Sequence, residues 1–308
     1  MRQWVFILLF VWPLCLIAQD VHFSQWFNNP IFQSPALAGE FDGTHRISVQ
    51  QRQQWASVSV PFRSFSASFD MPYKNWGLGA QFLRDQSGSS RLSLTQLSLS
   101  LSRFLNDWQV GTQLTFAQQA IDYSDLVFID NTEQFTSLSA NYFDLGFGVY
   151  RQLYIAGTEV MMGYTFFHLN SPNRSLSSAK DLLKPKHQVV SLIELPLHPK
   201  WHIHPHIQWL QQAQQQTFST GSVVSYDISD QYEQNILLEG GVLFRFNDAL
   251  CCLLGVQWGQ SHFAFSYDIN TSDLVPASNY LGAWEISFSH VVKSSLPRSS
   301  YKTCPAFL

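Results

Sequence analysis

Four histidines near residue 200 are the first side chains whose type and spacing could bind a metal ion. His202, His204 and His206 alternate, so on a β-strand they share one face, and His198 lies just before them. Alternate strand residues are about 6.6 Å apart, too far for three of them to reach one ion with bonds near about 2 Å. Pro205 also interrupts a regular ladder. We therefore predict no metal site, but a row of polar side chains facing the inside of the protein.

An acidic stretch over 122–133 is the second candidate for chemistry. Its carboxylates, Asp122, Asp125, Asp130 and Glu133, could bind Ca²⁺ or act as an acid–base pair. The stretch lacks the glycine and the alternating oxygen ligands of a calcium loop, so a solvated loop is predicted. The chain also lacks a G-x-S-x-G turn, an H-E-x-x-H helix and a phosphate loop. We predict that the protein is not an enzyme and needs no cofactor.

The composition favours a surface that meets lipid. Charged residues make up 13% of the chain and aromatic residues 15%, whereas charged residues are usually about 25% of a globular protein. The net charge is −4 and the sequence has no basic stripe, so its charge gives no support for binding to nucleic acid. An aromatic-rich soluble β-sandwich fits the same composition and stays open at this point.

Residues 1–18 have the features of a cleaved signal peptide. Arg2 provides the positive start, Trp4–Ile17 the apolar stretch, and Ala18 the small residue before Gln19. The apolar stretch is shorter than the roughly 20 residues of a membrane anchor. We predict cleavage between Ala18 and Gln19 and export of the mature chain.

Three cysteines remain in the mature chain, Cys251, Cys252 and Cys304. Neighbours on a strand point to opposite faces, so Cys251 and Cys252 are poorly placed to pair with each other. An odd number also argues against a disulfide framework. We interpret these residues as small apolar fillers.

The remaining chain is dominated by strands with one apolar and one polar face. Residues 64–71, 142–150, 262–269 and 283–289 alternate strictly between the two. Small residues recur on the polar face, namely Gly77, Gly79, Gly146 and Gly148. Tryptophans end the apolar face, as in an interfacial girdle: Trp76, Trp108, Trp209, Trp258 and Trp284.

We predict an all-β fold, a transmembrane antiparallel outer-membrane β-barrel of about 14 strands. The predicted strands are 45–53, 63–71, 76–85, 91–103, 107–119, 142–150, 158–168, 187–196, 201–212, 217–225, 234–246, 249–260, 261–270 and 281–292. Leu92 and Leu94 have the opposite parity to Leu97, which predicts a β-bulge near Thr95–Gln96. The long segments 120–141 and 169–186 are expected outside the cell, and the short links 72–75 and 104–106 in the periplasm.

The two ends of the mature chain are expected to lie outside the wall of this barrel, 45–292. The segment 19–44 contains Pro30 and Pro35 and little alternation, so it is not a regular strand. It is either a periplasmic or lumen-inserted segment that plugs the barrel or binds a partner, or only a lead-in to the first strand. The tail 293–308 is expected in the periplasm.

Nine charged residues share the polar parity of the strands and should face the lumen. They are Arg46, Arg52, Asp70, Asp144, Glu194, Glu239, Arg245, Asp268 and Glu285. Two interpretations stay open, a selective pore or an internal network that braces a wide barrel.

Five stretches of the sequence resemble one known family. Residues 23–30 read FSQWFNNP and 34–39 read SPALAG; QRQQW follows at 51–55, FSYDINTS at 265–272 and CPAF at 304–307. This order resembles the PorP/SprF family of type IX secretion system membrane proteins of Bacteroidota. Ser34 and Ala306 depart from the Asn and Arg that the family has there.

The resemblance implies a non-catalytic barrel of the type IX secretion and gliding machinery. Expected partners are outer-membrane lipid and either a periplasmic ring lipoprotein with its partner or the C-terminal domain of an exported adhesin. The candidate partner-binding or plug residues are Phe23, Gln25, Asn29, Pro30, Pro35, Gly39, Cys304, Pro305 and Phe307. The alternative function is a passive or substrate-specific outer-membrane pore.

Overall fold

The computed structural model describes residues 20–56, 60–88, 92–122, 137–155, 157–177, 179–229 and 235–293. The predicted signal peptide and its cleavage site lie outside these residues. So do most of the acidic stretch, including Asp125, Asp130 and Glu133, and the tail with Cys304, Pro305 and Phe307.

Alternating side chains make the described residues a closed antiparallel barrel of fourteen strands, in which each strand pairs with its sequence neighbours and β1 pairs with β14. The strands are β1 His45–Gln54, β2 Phe62–Tyr73, β3 Trp76–Ser87, β4 Leu92–Leu105, β5 Trp108–Ile121, β6 Leu138–Ile155, β7 Thr158–Phe167, β8 Lys186–His198, β9 Trp201–Gln212, β10 Gln215–Asp227, β11 Ile236–Arg245, β12 Ala249–Trp258, β13 Ser261–Asn270 and β14 Leu281–Val292. This confirms the predicted fold class and strand number.

The two ends of the barrel differ. One end, here called the turn end, carries the first residue of β1, the last residue of β14 and the short turns at 74–75, 106–107 and 199–200. The other, the loop end, carries the longer segments 122–137, 168–185 and 271–280. The last of these includes a short helix, α2, Val275–Ser278. Both chain ends of the barrel wall therefore emerge at the turn end.

Alternation places apolar side chains outside and small or polar ones inside, as predicted. On β4, Leu97, Leu99 and Leu101 are exposed, whereas Ser98 and Ser100 are buried. All five predicted tryptophans lie on the outward parity of their strands. Trp76, Trp108 and Trp258 lie at the turn end, and Trp209 and Trp284 near the loop end. This arrangement matches two interfacial aromatic girdles. Cys251 is buried and Cys252 exposed, in agreement with their predicted opposite faces.

The predicted bulge near Thr95–Gln96 is wrong. β4 pairs with β3 and with β5 without a register shift through both residues. Leu94 instead faces inward, where it packs on a buried cluster of Ala117, Tyr142 and Leu183. An apolar residue on the inner face was misread as a change of phase, because the barrel has an apolar contact there.

The described residues also include a short non-strand region before β1. It consists of a 3-10 turn at Trp26–Asn28, a one-turn helix α1 at Pro30–Gln33 and a second 3-10 turn at Pro35–Leu37. No helix in the described part of the chain is long and apolar enough to span a membrane.

Candidate functional site in the barrel lumen

Residues 20–44, here called the plug, run through the lumen from the loop end to the turn end. At its start, the Asp20 backbone N–H donates to Oε1 of Gln212, the last residue of β9, at 3.1 Å. At its far end, the Thr44 N–H donates to the carbonyl of Val292 at 2.7 Å. The plug therefore crosses the lumen before the chain turns back to form β1.

Near the loop end, four charged side chains form a buried network, here called the ionic clamp: Arg52, Arg245, Asp268 and Glu285. Arg52 lies 2.8 Å from Asp268 and 3.1 Å from Glu285. Arg245 lies 3.0 Å from Asp268 and also pairs with Asp248. All four clamp residues are at least nine-tenths buried. Removing one member of such a buried network leaves another charge without its partner, which is strongly destabilising.

The ionic clamp holds the plug at Ser24. The Ser24 hydroxyl donates to Asp268 at 2.8 Å and accepts from Arg52 at 2.7 Å and from Arg245 at 3.0 Å. The Ser24 backbone N–H donates to Glu285 at 2.8 Å. One small hydroxyl thus completes a network of two cations and one anion, a role that a larger or apolar side chain cannot fill.

Gln25 extends the same network and is completely buried. Its backbone N–H donates to Glu285 at 2.9 Å, and its side-chain amide donates to Ser266 at 2.8 Å. The Ser287 hydroxyl donates to the Gln25 side-chain oxygen at 2.7 Å, and Gln50 donates to the Gln25 carbonyl at 3.1 Å. Every polar group of this glutamine is paired, as burial requires.

Asn29 and Pro30 start the helix α1. The Asn29 side-chain oxygen accepts from the Phe32 N–H at 3.3 Å as the N-cap, and Pro30 occupies the first helical position, which needs no N–H. The Asn29 amide donates to Ser66 at 3.0 Å on β2. The Asn-Pro pair therefore both begins the helix and fixes it to the barrel wall.

Toward the turn end, the plug rests on four strand glycines, here called the glycine seat: Gly77, Gly79, Gly111 and Gly148. A methyl group added at Gly77 would lie 1.8 Å from the Ala38 carbonyl oxygen. One added at Gly111 would lie 2.5 Å from the Ala36 nitrogen. The absence of side chains on these strands therefore creates the space that the plug backbone occupies.

Two predicted plug residues shape the chain at the glycine seat. Pro35 begins the second 3-10 turn, with Ser34 as its side-chain cap. Gly39 has a φ of 71°, and its N–H donates to Asp70 at 2.7 Å. Arg46 pairs with the same carboxylate at 2.8 Å. A glycine is required at 39 because the backbone is left-handed and packs directly on Gly77.

Apolar plug residues fill the lumen between these two regions. Phe23 is 3% exposed and packs edge-on against Phe32, with ring centroids 4.9 Å apart. Trp26 and Leu37 form a buried cluster with Tyr150 and Val190 on the wall. A cavity of about 70 Å³ remains beside the start of the plug.

The start of the plug is held by a charged contact at the loop end. His168 lies 2.7 Å from Asp20 and 2.8 Å from Asp144, and Lys186 lies 3.5 Å from Asp20. Burial alone would lower the pKa of His168, but the Asp20 charge and hydrogen bonds to both carboxylates raise it to about 9. Burial opposes ionisation of Asp20 as well, yet the charges of His168 and Lys186 hold its pKa well below the usual range.

The histidine row faces the lumen but serves different contacts. His206 packs on Phe27, with ring centroids 4.1 Å apart. His204 hydrogen-bonds Ser225 at 3.0 Å, and His202 lies 3.5 Å from Glu194. Within the described ranges, no group of three His, Cys, Asp or Glu residues could hold a metal ion. The row therefore carries packing and polar contacts.

All nine charged residues predicted to face the lumen have an ionic or histidine partner. Besides the ionic clamp and the Arg46–Asp70 pair, Asp144 contacts His168, Glu239 contacts His262 and Glu194 contacts His202. This pairing favours the internal network over the selective pore.

Sequence reasoning missed several residues that contact the plug. Asp20, Tyr150 and His168 carry no motif, and the chain separates Tyr150 from its partner Gln33 by 117 positions. The sequence pattern places the strand glycines on the inner face of the barrel, but it did not predict that the plug backbone packs against them. A run of glycines on an inner strand face is a signal that another backbone approaches closely.

The stretches matched to the known family meet in one place. Ser24 and Gln25 come from the first stretch, Arg52 from the third and Asp268 from the fourth, and Glu285 lies on the last strand. β1, β13 and β14 are neighbours because β1 pairs with β14 to close the barrel. Residues separated by up to 261 positions therefore form one network.

Comparison with known proteins agrees with this architecture. The chain is similar to the Ralstonia pickettii toluene transporter TbuX, at 11% identity over 86% of this chain and 94% of that chain, with a TM-score of 0.54. It is also similar to the monoaromatic hydrocarbon channel CymD, at 10% identity over 87% and 93% of the two chains, with a TM-score of 0.52. At such low identity the likeness shows the outer-membrane barrel fold alone. A search of curated proteins found no match.

The family described as type IX secretion system membrane protein PorP/SprF matches residues 16–290. The match includes the plug and nearly the whole barrel. The chain belongs to this family.

Proposed function

We propose that this family member is a non-catalytic outer-membrane component of the type IX secretion and gliding machinery. It would bind either periplasmic ring components or the C-terminal domain of an exported surface protein. The barrel fold and the family fit the outer membrane, and both are typical of secretion or transport components.

The occupied lumen is the observation that carries this proposal. The plug is fixed at its start, at the ionic clamp, at Asn29 and at the glycine seat. A barrel built to pass solute continuously would not need a segment with so many matched contacts inside it. We therefore assign the protein an anchoring role instead of a transport role.

The turn end is the surface that we propose for partner binding. Phe23, Gln25, Asn29, Pro35 and Gly39 are buried against the wall, so a partner cannot reach them while the plug is in place. β14 ends at the turn end, and the tail with Cys304, Pro305 and Phe307 follows it. With the short turns in the periplasm, as is usual for such barrels, the tail would extend toward periplasmic components.

A detergent pull-down of the tagged full-length protein tests the proposal. We expect secretion components or an exported adhesin to co-purify, and deletion of residues 304–308 to remove them without changing the heat-modifiable gel shift of the barrel. An internal deletion of equal length in 123–136, at the loop end, is the control and should retain the partner. Equal recovery of the partner with all three proteins would contradict binding through the tail.

Planar-bilayer recording separates the anchor from the alternative, a passive or substrate-specific pore. The anchor predicts little current from the intact protein, and a large increase after deletion of residues 20–40. Steady conductance from the intact protein would instead favour the pore. Recovery of the protein without detergent would contradict both functions.

A further inference from the structure

Two arginines lie on the outer wall of the barrel, near the turn end. Arg103 on β4 is directly opposite Trp76 on β3, and its guanidinium carbon lies 4.6 Å from a Trp76 ring centroid. Arg151 on β6 is directly opposite Trp108 on β5, at 5.0 Å. The two arginines are two strands apart, which is about 10 Å across the sheet, and the register offsets them by two residues along the strands. The Trp–Arg pair thus occurs on two successive hairpins.

Neither arginine has an ion-pair partner among the described residues. Across the part of the chain that the structure describes, the arginines that form ion pairs are Arg46, Arg52, Arg174 and Arg245. A cation on the outer wall is costly at the bilayer centre and inexpensive near the interface. Arg103 and Arg151 lie at the level of the aromatic girdle, where the phosphates of the lipid headgroups are found.

The same strands carry an apolar groove on their outer surface. Its volume is about 610 Å³, and it is lined by residues of β2 to β6, among them Leu78, which is two residues from Trp76 on the same face. Ala80 and Thr112 are small outward-facing residues among larger ones, which leaves the groove open between Leu78, Leu99 and Leu114. Leu101 borders the groove and is two residues from Arg103 on the same face.

We infer that β2–β6 form a binding site for one anionic phospholipid of the adjacent leaflet. Arg103 and Arg151 bind the phosphate, since a guanidinium can donate two parallel hydrogen bonds to a phosphodiester. Trp76 and Trp108 hold the guanidinium groups in place, and an acyl chain occupies the groove over Ala80 and Thr112. The inference is independent of the secretion partner and rests only on membrane insertion.

The opposite side of the barrel lacks this combination. There, Trp201 packs on Tyr226, with ring centroids 4.4 Å apart, and Trp258 is opposite Ser261. Both are aromatic girdle positions without an arginine across the strand. Among the described residues, the stacking of an arginine on a tryptophan is therefore confined to one side of the barrel, and this favours a local site over a general property of the girdle.

Native mass spectrometry of the full-length protein, titrated with phosphatidylglycerol or phosphatidylcholine, tests the inference. We expect one retained phosphatidylglycerol with a clear preference over phosphatidylcholine. Replacing Arg103→Gln and Arg151→Gln should each weaken phosphatidylglycerol binding about fivefold and leave phosphatidylcholine unchanged. Arg84→Gln is the matched control, because Arg84 also faces outward, on the neighbouring strand β3, but lies near the loop end, and it should have no effect.

The groove is tested separately with Ala80→Leu, which should weaken both lipids to a similar extent. Ala67→Leu is its control, because Ala67 faces outward on β2 but does not line the groove. Equal retention of the two lipids by the unmodified protein would overturn the inference. So would an Arg84→Gln effect as large as that of Arg103→Gln, or displacement of the lipid by soluble glycerol phosphate.

Discussion

The ionic clamp and the glycine seat hold the same plug by different physical means. The ionic clamp uses charge, because Arg52, Arg245, Asp268 and Glu285 surround one serine and one glutamine with paired hydrogen bonds. The glycine seat uses shape, because strand glycines leave room for the plug backbone. Charge therefore selects which plug residues lie at the loop end, whereas the absence of side chains determines how deeply the plug packs at the turn end.

The largest expected effect comes from breaking the ionic clamp. Arg52→Ala removes one of the two positive charges beside the buried carboxylates of Asp268 and Glu285. The free energy of unfolding should fall by about 3–5 kcal/mol, and Ser24 should be released. The readout is maleimide labelling of Cys251, which lines the cavity beside the plug, in a Cys252→Ser, Cys304→Ser background.

A surface substitution is the control for this prediction. Arg84 is exposed, and it donates a long hydrogen bond of 3.4 Å to the Thr95 hydroxyl. Arg84→Ala should leave both thermal stability and Cys251 labelling unchanged. Equal labelling rates of Cys251 in the Arg52→Ala variant and in the protein that retains Arg52 would show that the ionic clamp does not retain the plug.

The next effect comes from overfilling the glycine seat. Gly77→Ala places a methyl group on the Ala38 carbonyl, so the plug or the strand must move, with an expected loss of about 1–3 kcal/mol. The matched control is Gly240→Ala, since a methyl group at this strand glycine meets no atom within 4 Å. Thermal unfolding in detergent measures both. Equal melting temperatures for the two variants would contradict direct packing of the plug on β3.

A smaller and local effect is expected from pH at the start of the plug. The pKa of His168 is raised from 6.5 to about 9, so its stabilisation is complete below about pH 6.5 and is lost as the pH rises through about 9. The lowered pKa of Asp20 acts in the opposite direction, and its contribution is lost only in acid. Mobility of a spin label at Val21→Cys should therefore increase between pH 7 and 10.

The control for the pH experiment is the same label in a His168→Gln background. There, the mobility should be high already at pH 7 and should not change between pH 7 and 10. A transition of equal size with glutamine at 168 would assign the pH effect to another group.

The smallest expected quantity is the coupling between the two regions. The ionic clamp and the glycine seat share no hydrogen-bond partner among the described residues. The decreases in the free energy of unfolding that Arg52→Ala and Gly77→Ala cause separately should therefore add to within about 0.5 kcal/mol in the double variant. Strong coupling in this double-mutant cycle would mean that the plug moves as one rigid unit.

The strands of the barrel wall could be predicted from the sequence far better than the contacts inside the lumen. The alternation of apolar and polar residues, strict in four segments and looser elsewhere, predicted fourteen strands, and the bounds of β9, β13 and β14 agree with the predicted ones. Leu94 was misread because alternation assumes that every inward residue meets water or a polar group. Its apolar partners come from β5, β6 and the segment before β8, which no local pattern reveals.

The plug shows the limit of local reasoning even more clearly. Its turn-forming residues Asn29, Pro30, Pro35 and Gly39 could be identified as irregular, and the resemblance marked them as a motif. Their partners could not be identified, because hydrogen bonds between residues more than 200 positions apart depend on barrel closure. His168 gave no signal at all.

The central claim, that the plug lies in the lumen against the glycine seat, is tested most directly by a cross-link in intact cells. A methyl group at Gly79 would lie 3.3 Å from the Ala38 side-chain carbon, close to the about 3.5–4.5 Å of a disulfide. The pair Ala38→Cys and Gly79→Cys, in a background without the native cysteines, should form a disulfide nearly completely. Ala38→Cys with Gly240→Cys should form none. A reduced Ala38→Cys that reacts with a soluble maleimide, in a barrel that is folded in the membrane, would contradict the claim.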